Sequence, residues 1–271
     1  MTFWALIILS VLAFGISRRV NARLSLVRYQ AARVRGRYAV FAGLFFVMDR
    51  LRRDMEHPRF SGTDPLFEYD AVDETARVNL NTAADKGLVF LKGLLMALGV
   101  DEWTAEEISL SFMDKKDEFL CPEDLLSLEG VTPEIFERLR PYVTAYPSRG
   151  RFQVNLNTAT EPVLSALAGS VTGGMTHANR IDAEGFVRKL TAYRAGGDGQ
   201  EGTEDDVPVV LKEIAFSSPE RAIAAALAPM HSARPLYVRA HVEAKDASGI
   251  RTVLDAVIGT RALEIVFLNI E

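Results

Sequence analysis

The sequence predicts an α+β fold: one long N-terminal helix laid on a small antiparallel sheet, with a mainly helical body between them in chain order. Three observations lead there. No proline occurs from Met1 to His57, and apolar residues recur along that stretch at spacings of three and four, the signature of a helix with one apolar face. The hexapeptide Val-Asn-Leu-Asn-Thr-Ala occurs twice, at 78–83 and 154–159, each time where a strand-like pattern gives way to a helical one. After Pro208 the period changes to two, as in strands with one buried face.

The helix comes first. Residues 1–17 carry no charge, and Arg18 and Arg19 end the run. At 1.5 Å per residue such a stretch is about 25 Å long, slightly short for a bilayer core of about 30 Å, and snorkelling arginines make up the difference, so 1–17 is expected to be a transmembrane segment. A cleaved signal peptide has the opposite order, with its basic region before the apolar run. Residues 18–57 continue the helix amphipathically through Leu24, Val27, Ala31, Val34, Tyr38, Phe41, Phe45, Met48, Leu51 and Met55. The whole element would reach about 80 Å, flexed at Gly15, Gly36 or Gly43, with two helices and a loop near Gly36 as the alternative.

Residues 58–77 read as a loop and a strand entry to the sheet. The first repeat unit, 78–150, holds helical signals at 88–98, 104–113, 123–128 and 133–142, the last opened by Thr132-Pro133 with proline at the tolerated first position. The second, 151–207, holds 161–168 and 183–195. Thr82 with Asp85, Thr104 with Glu107 and Thr158 with Glu161 read as capping boxes. Asn79, Asn81, Asn155 and Asn157 suit the bend after each short strand, because an Asn side chain bonds the backbone two residues on. Residues 208–271 end in three strands, 236–244, 250–259 and 263–270, whose apolar face needs the amphipathic half of the first helix to cover it.

Charge is unevenly spread. Residues 18–53 contain ten Arg against the single acid Asp49, a local +9, so with a total of −5 the residues from 54 onward carry −14. A basic stem on an acidic head is the reverse of a nucleic-acid-binding domain. The lone Cys121 excludes an intrachain disulfide. His57, His177, His231 and His241 show no metal-ligand spacing, and no P-loop, nucleophile elbow or GxGxxG pattern occurs, so catalysis has no support and none is expected.

Taken in order, the apolar helix with its Arg-rich continuation, VNLNTA, LLSLEGVTPEIFERLRPY from Leu125, VNLNTATEPVLSAL from Val154, AYRAGGDGQEGTEDD from Ala192 and the terminal strands resemble the general secretion pathway protein K family. These are the large minor pseudopilins of type II secretion systems. The resemblance implies a pilin-like fold with two SAM-like units inserted, and a role at the tip of a periplasmic pseudopilus with I- and J-type minor pseudopilins as partners. It also implies a single-pass inner-membrane anchor with the head in the periplasm. Lateral association of such subunits would divide the stripe Val27, Val34, Phe41, Phe45 and Met48 between the subunit's own sheet and partner helices. The Arg-rich flank alone would place the head in the cytoplasm. A basic leader ahead of Met1 would resolve that conflict, and Ala5, where most pseudopilins have Glu, is a feature of the K family.

The strongest chemical constellation is the loop Asp198 to Asp206, with five acids and the bending residues Gly199 and Gly202. A hard Ca²⁺ ion takes six to eight oxygens, which such a loop supplies from carboxylates and carbonyls. The resembling family binds calcium with DG-x-x-GT-x-DD, matched here by Asp198, Gly199, Gly202, Thr203, Asp205 and Asp206. The expected metal set is Asp198, Gly199, Glu201, Thr203, Asp205 and Asp206. A weaker cluster of Asp114, Asp117, Glu118, Glu123 and Asp124 is shorter than the family's insertion, and no second ion is expected. Leu128-Glu129-Gly130-Val131-Thr132 also resembles the helix-hairpin-helix of competence-type DNA receptors, the alternative reading. There Pro133 removes a phosphate-facing N–H and the flanks are acidic. A membrane-anchored hydrolase is the third class.

Overall fold

The computed structural model describes residues 2–53, 60–83, 87–147, 150–172, 177–201, 205–246 and 249–271. Helix α1 runs unbroken from Thr2 to Arg53. Hairpin strands β1 (Phe60–Thr63) and β2 (Glu68–Asp73) follow. Then come β3 (Val78–Asn79), α2 (Gly87–Ala97), α3 (Glu102–Asp114), α4 (Pro133–Leu139), β4 (Val143–Thr144), α5 (Glu161–Val171), α6 (His177–Arg194) and α7 (Ser218–Leu227). Strands β5 (Tyr237–Lys245), β6 (Arg251–Gly259) and β7 (Glu264–Ile270) close the chain. The sheet is antiparallel in the order β1-β2-β5-β6-β7. The stretch before Tyr69 read as a loop therefore adds a hairpin to the three expected strands; its apolar content is too low to announce it.

The sheet is shaped to receive α1. Ala71, Ala240 and Ala256 stand in register across β2, β5 and β6, so the middle of the buried face is a trough of methyl groups. Val40, Leu44, Val47 and Leu51 pack onto it, each fully buried and contributing about 2 kcal/mol by removal from water. Gly36 lies against Thr252, and Gly43 against Val242 and Phe67, so closely that a Cβ at either would collide. These glycines are points of close approach, and the helix runs through both of them. Phe46 stacks near Phe67 and Tyr69, with ring centroids 6.1 and 5.2 Å away, and Arg50 lies 4.5 Å over the Phe60 ring, fastening the hairpin to α1.

The expected stripe is divided: Phe41 and Met48 are half-buried against the sheet, whereas Val27, Val34 and Phe45 face outward, and the fully buried contacts come from Val40, Leu44, Val47 and Leu51. The second half of α1 is apolar on two sides, so a spacing of three and four fits either, and the sheet takes the side displaced by one residue, Val40 with Leu44 and Val47. Among the described residues no helix is long and apolar enough to cross a membrane, and the expected segment at 1–17 includes side chains outside the described ones.

The helical body has a second core. Phe90, Leu94, Leu95, Ile108, Leu125 and Leu139 from the first unit join Leu164, Leu167, Phe186 and Leu190 from the second in one buried cluster. Helix α2 meets α5 with Gly93 facing Ala166, and β3 pairs in parallel with β4. Thr132 caps α4 as expected, accepting from Ile135 N at 3.3 Å with Pro133 in the first turn. The other boxes are different. Asp101, not Thr104, caps α3 by accepting from Thr104 N, and α5 starts after Thr160 with no side-chain cap. Asp85 lies outside the described residues, as do the residues on either side of it that lead into α2, so the Thr82 box falls outside them too.

Candidate functional site

Two features stand out: the outward face of α1, and the seam where the helical body meets the sheet. On α1, Leu24, Val27, Val34, Tyr38 and Phe45 are exposed, Tyr38 at 74% and Phe45 at 64%. Arg28, Arg33, Arg35 and Arg37 lie exposed among them. Scattered apolar residues on a surface mean little, but these lie as one stripe along several turns of a single helix.

The seam is organised by three consecutive residues at the end of β2. Asp73 Oδ2 accepts from Asn155 Nδ2 at 2.7 Å and Thr158 Oγ1 at 2.6 Å, and Oδ1 accepts from Thr75 N at 2.8 Å. Burial pushes the Asp73 carboxyl above its ordinary 3.8, opposed by those bonds. Glu74, fully buried, pairs with Arg239 of β5 at 2.8 Å and with Arg77 at 3.2 Å. Burial draws the Arg77 guanidinium below its ordinary value against the attraction of Glu74. Thr75 Oγ1 accepts from Leu236 N and Tyr237 N, and its carbonyl accepts from Asn155 N. Thr158, expected to cap a helix, is therefore recruited to the sheet instead. Sequence reasoning missed Asp73, and its only signal was the run of three polar residues at the end of a strand.

Both hexapeptides bend as expected, with Asn79 Oδ1 accepting from Asn81 N and Asn155 Oδ1 from Asn157 N. The second Asn of each then ties down distant backbone. Asn81 donates to Phe119 O and Ala145 O and accepts from Phe119 N, and Asn157 donates to Ala233 O and accepts from Val209 N.

The acidic loop leaves α6 at Arg194. Gly196 and Gly199 take positive φ, +61° and +70°, and Asp205 folds back so that its Oδ2 accepts from Gly197 N and Asp198 N at 2.8 and 3.0 Å. Asp198 Oδ1 accepts from Gln200 N at 2.7 Å. Arg194, buried, grips Glu201 through two bonds of 2.8 and 2.7 Å and donates to the carbonyls of Leu156 and Ala159 in the second hexapeptide. Glu201 is thus turned to an arginine, and Gly202, Thr203 and Glu204 lie outside the described residues. Among the described residues no three His, Cys, Asp or Glu side chains are grouped to hold a metal. The carboxylates of Asp198, Asp205 and Asp206 remain chemically suited to a hard cation. At the hairpin-like turn, Glu129 N donates to Ser111 Oγ and Ile135 N to Thr132, so those donors are used internally.

The architecture matches a chain in the crystal structure of the GspK-GspI-GspJ complex from the enterotoxigenic Escherichia coli type 2 secretion system. The TM-score is 0.64 at 15% sequence identity, over 91% of this chain and 98% of that one. The fold is GspK-like. No family model matches the sequence, and no curated protein matches it. The α+β architecture of a long helix on an antiparallel sheet with a helical body is that of the matched chain. At that identity the likeness speaks for the fold and not for individual side chains.

Proposed function

We propose that this protein is a minor pseudopilin of a type II secretion system, a structural subunit and not an enzyme, that joins I- and J-type pseudopilins at the tip of a pseudopilus. The observation that carries the reading is the double-faced α1. One face is consumed by the subunit's own sheet, and the other, Val27, Val34, Tyr38 and Phe45, is left outward on a helix of 52 residues. The GspK-like fold supports it, since the matched structure is a complex of GspK with GspI and GspJ. In this reading the uncharged end of α1 anchors the chain in the inner membrane and the acidic head stands in the periplasm.

The test separates the two faces. Phe45→Asp should change stability by less than about 0.5 kcal/mol, because the side chain is exposed. It should nevertheless abolish co-purification with I- and J-type partners. Leu44→Asp should unfold the sheet domain, costing several kcal/mol for a buried carboxylate (roughly 4). Normal assembly by a folded Phe45→Asp protein would remove the basis of this reading.

Calcium binding by the acidic loop belongs to the same proposal, with Asp198, Asp205 and Asp206 and neighbouring carbonyls as the holders and Glu201 left to Arg194. A bound divalent ion would offset repulsion among those carboxylates and stiffen the loop. Adding Ca²⁺ should raise the melting temperature of the unmutated protein with a concentration dependence following RT ln(1 + [L]/Kd), and Asp206→Asn should blunt the rise. An identical melting curve in millimolar calcium and in chelator would remove the ion.

A further inference from the structure

The outward side of α1 has a periodicity of its own. Leu24 and Val27, Ala31 and Val34, Tyr38 and Phe41 are positions a and d of three successive heptads, and Phe45 opens the next. The subunit's own sheet takes another side of the helix: Gly36, Val40, Gly43, Leu44 and Val47 are buried, and none of them stands at a or d. Leu24, Val27, Val34, Tyr38 and Phe45 are exposed, with Ala31 and Phe41 half-buried. A helix that lies on its sheet by one face therefore carries a coiled-coil seam on the other. The charges bordering that seam have one sign. Arg28 and Arg35 stand at e, Arg23 and Arg37 at g, and all four are exposed. Residues 18–48 contain seven Arg and no acid, and Asp49 beyond them lies beside Arg53 at 2.7 Å. None of the four makes an ion pair among the described residues. Glu243 and Asp255 of the sheet alternate with Val242, Ala244, Leu254 and Ala256 beneath α1, so they stand on the sheet's far face.

Positions e and g set partner choice in coiled coils, because charges there meet charges on the facing helix. In a parallel pair of two copies of this chain, Arg23 at g would face Arg28 at e of the second copy, and that repulsion opposes self-pairing. We propose that the α1 seam takes, in parallel, a helix of a different pseudopilin whose own e and g positions are acidic. The inference rests on the minor-pseudopilin reading above and adds to it the chemistry by which the partner is recognised. An anionic membrane surface fits the arginines less well. In that reading the uncharged end of α1 is the anchor, and Arg35 and Arg37 stand about 27 to 30 Å past Ser17 at 1.5 Å per residue, whereas a headgroup layer is roughly 5 to 8 Å thick.

The test is the affinity of the full chain for the I- and J-type pseudopilins of the same secretion system, measured across salt concentrations. Arg28→Glu with Arg35→Glu, or Arg23→Glu with Arg37→Glu, should weaken association about tenfold at low salt and flatten its salt dependence. All four side chains are exposed, so the melting temperature should hold, and Arg138→Glu, exposed on α4, should bind like the unmutated chain. Replacing the acids at e and g of the partner helix by Lys should restore binding to the reversed chain and weaken it to the unmutated one. A merely structural role for the arginines would not produce that exchange. Normal binding by both double variants, where Phe45→Asp abolishes it, overturns charge recognition and leaves the seam as the binding face. Normal binding by Phe45→Asp removes the reading beneath the inference and overturns both. Dimers of the unmutated chain that Phe45→Asp abolishes would make a second copy the occupant and overturn the acidic partner. Loss of binding to phosphatidylglycerol vesicles by the double variants, with unchanged affinity for the pseudopilins, would assign the arginines to lipid and overturn it equally.

Discussion

The two copies of Val-Asn-Leu-Asn-Thr-Ala share every residue and the same Asx bend, yet one works inside the helical body and the other outside it. In the first copy Asn79 Nδ2 donates to Pro147 O, a neutral carbonyl of the same body. In the second Asn155 Nδ2 donates to the Asp73 carboxylate at the end of β2, and Thr158 adds a second bond to that oxygen. The difference teaches that a repeated motif fixes a local backbone shape and leaves its side-chain amides free to bond whatever the fold brings near. Position in the tertiary structure then makes one copy an internal brace and the other a connector between two hydrophobic cores.

The largest separation between the copies should come from Asn155→Ala. That side chain is buried, and removing it leaves a buried carboxylate short of a donor as well as opening the Asx bend. A loss of about 3 kcal/mol in denaturant unfolding is expected. Asn79→Ala removes three bonds to neutral backbone groups, and a loss of about 2 kcal/mol is expected. Equal costs, or a larger one at Asn79, would show that the Asp73 contact adds nothing.

How much of this was legible in the sequence depends on whether local pattern or tertiary partner decides. The long helix, the three terminal strands, the Thr132-Pro133 cap and the Asn bends are local and were all readable. Which face of α1 meets the sheet was not, because Val40, Leu44 and Val47 alternate with Phe41, Phe45 and Met48 at the same spacing. Gly36 and Gly43, seven apart, were the signal that could have decided it, since glycine on a helix face permits close packing. Nor was the fate of Thr158 or Glu201 readable. Each has a strong partner, Asp73 or Arg194, that only folding brings within reach.

Asn157→Ala and Asn81→Ala refine the comparison at the second position of each copy. Asn81 donates to two carbonyls and accepts one N–H, whereas Asn157 donates to one and accepts one. The order here is therefore expected to be opposite to that at the first position, with Asn81→Ala costing about 2 kcal/mol and Asn157→Ala about 1.5. Urea midpoints measured side by side would rank them, and the same order at both positions would mean that bond number is not what sets the cost.

The smallest expected effect is also the one most specific to the connector. The Asp73 carboxyl, raised by burial, has a folded value above its ordinary 3.8, so the native state binds its proton more readily than the unfolded chain does. Its contribution to stability is fully present below the unfolded value and is lost as pH rises through the folded one. Asp73→Asn keeps the shape, removes the titration and presents its amide nitrogen or oxygen, but not both, to Asn155 and Thr158. The unmutated protein should accordingly gain stability relative to Asp73→Asn as pH falls from 7 toward 4. Other carboxylates titrate in that window too, Glu220 among them, whose value lies below ordinary because Lys189 and the Ser217 N–H outweigh burial. Its stabilising share moves the opposite way, present above the unfolded value and lost as pH falls. The difference between the two proteins cancels Glu220, so the slope of that difference belongs to Asp73 alone. A flat difference from pH 7 to 4 would mean that Asp73 has the same proton affinity folded and unfolded, and that its bonds to the second hexapeptide fully offset its burial.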